Sequence, residues 1–157
     1  MRIGHGIDVH QVSDDPSREL WLGLVRIAGA PGLLGHSDAD VATHALCDAL
    51  LGAANLGDLG RHFPDTDPEF AGVPSRRLLE ETVVLVKGEG LRVLSADITI
   101  IAERPKLAGF MSAMSTELSS VVGALVTVKA TTAEGLGALG RVEGLGATAV
   151  VLLEEIK

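Results

Sequence analysis

Tyrosine is absent from this sequence, and one tryptophan and three phenylalanines bring the aromatic content to only 3%. A base-stacking platform for nucleic acid needs several exposed rings, so that function is excluded. Positive charge is scarce as well: 13 Lys and Arg stand against 21 Asp and Glu, a formal net charge of −8. No Lys/Arg stripe is available to neutralise a phosphate backbone. Cysteine occurs once, at Cys47. It can form no internal disulfide, and the expected compartment is the cytoplasm. No uncharged run approaches the roughly 18–20 residues of a membrane helix. The opening "MRIGHGIDVH" lacks the basic-then-apolar layout of a secretion signal. Low-complexity tails and internal repeats are missing too.

What is present is the balance of a soluble globular protein, 46% apolar and 22% charged over 157 residues, which is expected to form a single domain spanning 1–157. Residues 2–11 and 20–28 read as two strands around the polar turn "SDDPSRE". Ser37 is expected to open a helix, with Asp40 as its capping partner. Ala42, Leu46, Ala49, Leu50 and Ala53 share one face of that helix, and Asp40, His44 and Asp48 the other. Residues 57–74 read as a long loop dense in Gly, Pro and Asp, a length that is often functional. Helices are expected over 75–87 and 107–121, strands over 94–102, 124–132 and 147–155, and a Gly-rich connection over 135–146. Helices and strands so interspersed indicate α/β or α+β packing. The stretch 149–153 is apolar without alternation, which predicts cover on both faces. Three helices are too few for that, so another subunit is expected on one face.

All five histidines fall within the first 62 residues. In "GHGIDVH", a strand would point Asp8 and His10 to one face and His5 to the other. That pair is either a hydrogen-bonded couple or two-thirds of a metal site. "HSDADVATH" adds His36, Asp38, Asp40 and His44 around one helix start. Catalytic zinc takes three protein ligands and keeps one position open. Asp8, His10 and one helical imidazole meet that count, and His44, mid-helix, is the best third ligand. His36 is then free to face a substrate. The competing reading makes Asp40, His44 and Asp48 a solvated helix face. His5 reads as a packing or hydrogen-bonded residue, His62 as a loop histidine and Cys47 as a small buried hydrophobe. "KATTAEG" (129–135) could cradle a phosphate, with Glu134 beside it on a divalent cation, or be an ordinary strand end. "ERPKLAG" puts Lys106 at an expected helix start, where the dipole adds positive potential, or leaves it a surface lysine.

Taken in order, "MRIGHGIDVH", "LLGHSDADVATHALCDALLGAANLGDLG", "FPDTDP", "ITIIAERPKL" and "VKATTAEGLGALGRVEG" resemble the 2-C-methyl-D-erythritol 2,4-cyclodiphosphate synthase family along nearly the whole chain. The resemblance implies an α+β (mixed α/β) fold, a four-stranded-type sheet with helices on one face and the other face packed in a homotrimer. It implies a metal-dependent cyclase, a phosphorus–oxygen lyase. Such an enzyme converts 4-diphosphocytidyl-2-C-methyl-D-erythritol 2-phosphate to the cyclic diphosphate and releases CMP, in the non-mevalonate isoprenoid route. It places zinc on Asp8, His10 and His44, and a second cation, magnesium or manganese, on Glu134. Substrate contacts are implied for Asp8, Val9, His10, His36, Ser37, Asp58, Leu59 and Gly60, and for the loop residues Phe63, Pro64, Asp65, Thr66 and Asp67. From a neighbouring subunit, Ala102, Pro105, Lys106 and Leu107 would line a cytidine pocket, and Thr131, Thr132 and Glu134 would meet the phosphates. His36 and Thr132 match the catalytic positions. Arg141 is implied as a contact for an isoprenoid diphosphate on the trimer axis, although Ala138 stands where relatives commonly carry an aromatic ring. Partners expected are the cytidine diphosphate substrate and two further copies of the chain, with no nucleic acid or membrane. Two other readings compete: a metal-dependent phosphohydrolase built on the same Asp/His set, and a non-catalytic module binding nucleotide and metal.

Overall fold

The computed structural model describes residues 1–156. Strands β1 (Arg2–Gln11), β4 (Leu91–Ile101), β5 (Leu125–Thr131) and β6 (Gly144–Glu155) form one four-stranded sheet in the order β1-β6-β4-β5. β6 runs antiparallel to both of its neighbours, while β4 and β5 are parallel. The parallel pair needs a crossover, and α4 (Met111–Val122) supplies it, packing on β5. Helix α1 (Val41–Ala54) lies across β1 and β6, and α3 (Ser75–Gly88) packs on α1.

Two glycines decide how close α1 comes. A Cβ on Gly4 would sit 2.0 Å from the Ala49 carbonyl oxygen, and one on Gly6 would sit 2.0 Å from that of Ala45. With no side chain at either position, the α1 backbone rests directly on β1. This contact carries His44 to the strand that bears Asp8 and His10.

Several expectations need correction. The stretch 20–28 is a hairpin, β2 (Glu19–Leu22) and β3 (Val25–Pro31), which stays outside the main sheet. Gly23 at φ 55° and Leu24 at φ 66° turn the chain between the two strands. Helix α1 begins at Val41, and Asp40 is its N-cap rather than the partner of Ser37. The solvated-face reading of α1 fails: all of its residues except Asp48 and Gly52 are buried, because sheet and α3 enclose it. Helix α4 starts at Met111, so Lys106 lies ahead of it and gains nothing from a first turn. The loop 57–74 holds a short helix, α2 (Leu59–His62), and a 3-10 turn at Pro68–Phe70, and the Gly-rich stretch holds α5 (Gly137–Gly140). β6 begins at Gly144, three residues before the expected start.

Along 149–153 the chain itself covers only one face. Ala149, Val151 and Leu153 point to the helices and are buried, while Val150 is 42% exposed. Beside it on β1, Ile3, Ile7 and Val9 are between 58% and 74% exposed. His5 shares that open face and is exposed in the single chain.

Candidate metal centre

The site is assembled where the end of β1 meets the start of α1. Asp40 sets the entry to that helix. Its carboxylate accepts from the Ala42 and Thr43 amides and the Thr43 hydroxyl, and also from the Gly23 and Leu24 amides at 2.8 Å each. A carboxylate only 1% exposed is tolerable because five donors satisfy it. It ties the β2–β3 turn to α1 and fixes His44 one turn further on.

Asp8 Oδ2 lies 3.1 Å from His10 Nε2 and 3.0 Å from His44 Nδ1. One ligating atom from each of these three residues lies within 4.8 Å of the other two. Tetrahedral zinc, about 2.0–2.1 Å from each donor, spaces its ligands about 3.3 Å apart. The donor set fits such an ion, with one carboxylate oxygen and two imidazole nitrogens. Among the described residues no other trio of His, Cys, Asp or Glu comes as close. Burial pushes the Asp8 carboxyl up, but hydrogen bonds from His10 and His44 outweigh it and hold it well below the usual carboxylate range. The hydrogen bond to Asp8 holds the His10 imidazole above its ordinary value, against burial.

The outer contacts orient both rings. His10 Nδ1–H donates to the Leu34 carbonyl, which turns Nε2 toward Asp8. His44 Nε2 lies 2.9 Å from Ser75 Oγ and 3.2 Å from Ser37 Oγ. Asp38 stands behind Ser75, accepting its amide at 2.8 Å and its hydroxyl. Burial and the charge of Asp40 push the Asp38 carboxyl up, and the Ser75 hydrogen bonds oppose them. Burial likewise pushes the Asp48 carboxyl up, against the Leu59 amide that donates to it.

The triad forms the floor of a cleft of about 550 Å³ whose walls include His36, Ser37, Leu59, Gly60, Phe63, Pro64 and Asp65. His36 is exposed there, its Nε2 3.4 Å from the Asp67 carbonyl oxygen. Asp58 caps α2 through the Arg61 amide, and Asp67 caps the 3-10 turn. Neither Asp58 nor Thr66 nor Asp67 lines the cleft, and Val9 points away to the open face. His62 belongs to α2, donating to the Leu56 carbonyl at 2.8 Å. Cys47 is fully buried and its thiol is pushed up by burial. No local pattern marks Phe70, Val73 and Leu78, which also line the cleft, or Ser75, which after Pro74 reads only as a helix start.

The remaining candidates lie elsewhere on the chain. Pro105 and Lys106 line a second hollow of about 730 Å³ together with Val12, Gly29 and Gly140. Ala102 and Leu107 are buried beside it in the core. Thr131 and Thr132 are exposed at the end of β5, and the Thr132 hydroxyl donates to Glu134 Oε1 at 2.8 Å. Glu134 belongs to no group of three His, Cys, Asp or Glu side chains close enough to hold a metal ion among the described residues. Arg141 Nε donates to Glu143 Oε1 at 2.6 Å.

The YgbB family model matches residues 1–154. A 2-C-methyl-D-erythritol 2,4-cyclodiphosphate synthase of Trichlorobacter lovleyi is 54% identical over 156 residues, 98% of each chain. The bifunctional IspDF of Campylobacter jejuni superposes at a TM-score of 0.92 with 39% identity, over 98% of this chain and 42% of that longer one. A 2C-methyl-D-erythritol-2,4-cyclodiphosphate synthase solved in a CDP-bound form superposes at 0.87 with 40% identity, over 98% of this chain and all of that one. Matching in sequence from end to end and in the course of its backbone, the chain belongs to the YgbB family, the 2-C-methyl-D-erythritol 2,4-cyclodiphosphate synthases, which are lyases of isoprenoid biosynthesis.

Proposed function

We propose that the cleft over Asp8, His10 and His44 is where this chain closes the cyclic diphosphate of its family's reaction, with zinc as the bound ion. The observation that carries this reading is the convergence of three ligating atoms on the cleft floor. The substrate is 4-diphosphocytidyl-2-C-methyl-D-erythritol 2-phosphate. An oxygen of its 2-phosphate attacks the outer phosphorus of the diphosphate, forming a new P–O–P link. The old bridging P–O bond breaks, and its electron pair leaves with CMP. The nucleophile is already anionic and CMP is a good leaving group, so no activated serine or strong general acid is needed. Mutual repulsion between phosphates is the main barrier, and positioning with charge neutralisation lowers it. A bound divalent cation would supply Lewis-acid charge neutralisation at this point, opposing locally the field of a chain whose formal net charge is −8.

His36 and Ser37 hold the diphosphate at the cleft mouth, with His36 and Thr132 as the catalytic pair stabilising the developing charge. Asp58, Leu59, Gly60 and the Phe63–Asp67 loop hold the erythritol part. Thr131, Thr132 and Glu134, with magnesium or manganese on Glu134, and the cytidine-binding Ala102, Pro105, Lys106 and Leu107 come from a neighbouring chain of a homotrimer. Two observations support that assembly. These residues do not line the histidine cleft of their own chain, and Ile3, Ile7, Val9 and Val150 are left exposed on the uncovered sheet face. The CDP-bound synthase supports a cytidine nucleotide as ligand. Residues 1–157 act as a single catalytic domain in the cytoplasm.

Incubation of the protein with this substrate, zinc and magnesium, followed by phosphorus NMR in 18O water, tests the reading. Equimolar CMP and a cyclic diphosphate free of solvent oxygen are expected. A linear product carrying 18O would make the protein a phosphohydrolase. Nucleotide binding without CMP release would make it a non-catalytic module.

A further inference from the structure

The two imidazoles of the triad face it through different nitrogens, His10 through Nε2 and His44 through Nδ1. A neutral imidazole can offer a lone pair on one nitrogen only when the other carries the proton. For His10 the choice is forced, since a backbone carbonyl can only accept and Nδ1 must donate to Leu34. His44 has no such guarantee. Its Nε2 meets hydroxyls, Ser75 Oγ at 2.9 Å and Ser37 Oγ at 3.2 Å, and a hydroxyl can donate or accept. Meanwhile the Asp8 carboxylate, 3.0 Å from Nδ1, draws the proton to the wrong nitrogen for metal binding.

Asp38 removes the ambiguity. Its Oδ1 takes the Ser75 hydroxyl and the Asp40 amide, and its Oδ2 takes the Ser75 amide at 2.8 Å. Three donors converge on it, the pattern that suits an acceptor-only carboxylate. The single proton of the Ser75 hydroxyl is therefore committed to Asp38, and its oxygen is left to accept. Ser75 is fully buried, held at the first position of α3, so water does not compete for its hydrogen bond to His44 in the wild type.

We propose that Asp38 and Ser75 are positioning residues, a two-member relay that keeps the His44 proton on Nε2 and so presents the Nδ1 lone pair to a metal shared with Asp8 and His10. The inference rests on the metal reading of the triad but not on the cyclase reaction. In Asp38→Asn an amide N–H can face Ser75 Oγ, free its hydroxyl to donate to His44, and favour the Nδ1–H form. In Ser75→Ala the nearer acceptor is lost, and Nε2 keeps only the Ser37 hydroxyl at 3.2 Å.

The test uses the full chain with zinc as the probe and no substrate. Zinc affinity is measured by chelator competition, and the His44 Nε2–H of the zinc-loaded, 15N-histidine-labelled protein is followed by NMR. Both variants are expected to bind zinc about 10–100-fold more weakly. The Nε2–H should exchange slowly with water in the wild type and rapidly in Ser75→Ala. Folded variants with zinc affinity within about twofold of the wild type would overturn the relay. Should neither variant fold, rapid exchange of the His44 Nε2–H in the wild type would overturn it alone. Normal zinc binding with the expected losses, but no CMP release, would end the cyclase reading and leave the relay standing.

Discussion

At the scale of the residue, the proposed chemistry rests on Asp8, His10 and His44, three side chains whose separations suit one ion. His44 is 7% exposed, and its ring is held on both sides, by Asp8 at 3.0 Å and Ser75 at 2.9 Å. His44→Ala should abolish stoichiometric zinc binding and reduce turnover by more than the about 10–100-fold cost of losing an outer partner. Metal analysis of the purified variant checks this, and retained stoichiometric zinc would count against the ligand set. Elsewhere, Asp97 on the open face accepts from Lys129 and from Thr127 at 2.7 Å, and the Lys129 hydrogen bond holds its carboxyl below the usual range. A folded carboxyl lowered in this way stabilises the protein fully above its unfolded value. That contribution disappears as pH falls through the lowered value. The melting-temperature gap between wild type and Asp97→Asn should therefore be present near neutrality and close under acid. Asp8 and His10 were legible as a pair from strand alternation alone. Ser75 was not, because nothing in its local sequence distinguishes a hydroxyl aimed at a histidine from a helix-start residue.

At the scale of the element, the decisive contact is α1 on β1. Gly6→Ala would press its methyl into the Ala45 carbonyl region, where a Cβ would lie 2.0 Å from oxygen. Overpacking of this kind costs about 1–3 kcal/mol or more, and it should shift α1 enough to weaken zinc binding as well. Denaturant melts with parallel zinc titrations test both effects, and an unchanged midpoint would sink the argument. Asp40→Ala removes a helix cap worth about 0.5–2 kcal/mol and leaves the Gly23 and Leu24 amides without an acceptor, at about 1–3 kcal/mol each. A loss of at least about 2.5 kcal/mol is expected, read from the same melts. The sequence placed Asp40 at a helix start, which was right in kind. Its second task, holding the β2–β3 turn, lies 16 and 17 residues away along the chain and has no local signature. The turn itself was invisible because Leu24 takes a positive φ that its residue type disfavours.

At the scale of the whole molecule, one sheet face is sealed by helices and the other shows Ile3, Ile7, Val9 and Val150. Apolar side chains clustered on one face of a sheet mark an interaction surface. Ile7→Glu should convert the proposed trimer to a monomer in light scattering, with activity lost in parallel, and a monomeric wild type would argue against shared sites. The acidic balance and the scarcity of aromatic and basic residues argue against a nucleic-acid surface, the lone cysteine rules out an internal disulfide, and no described helix is long and apolar enough to cross a membrane. The periodicity of the chain marked interspersed helices and strands, α/β or α+β, and the order of its motifs carried the family resemblance, because those properties are local or linear. What only the tertiary structure decided was proximity. β1 and α1 meet because two glycines let their backbones touch, and only that meeting brings the His44 imidazole beside Asp8 and His10. A separation in space across more than thirty positions of chain is set by packing, which no window of sequence contains.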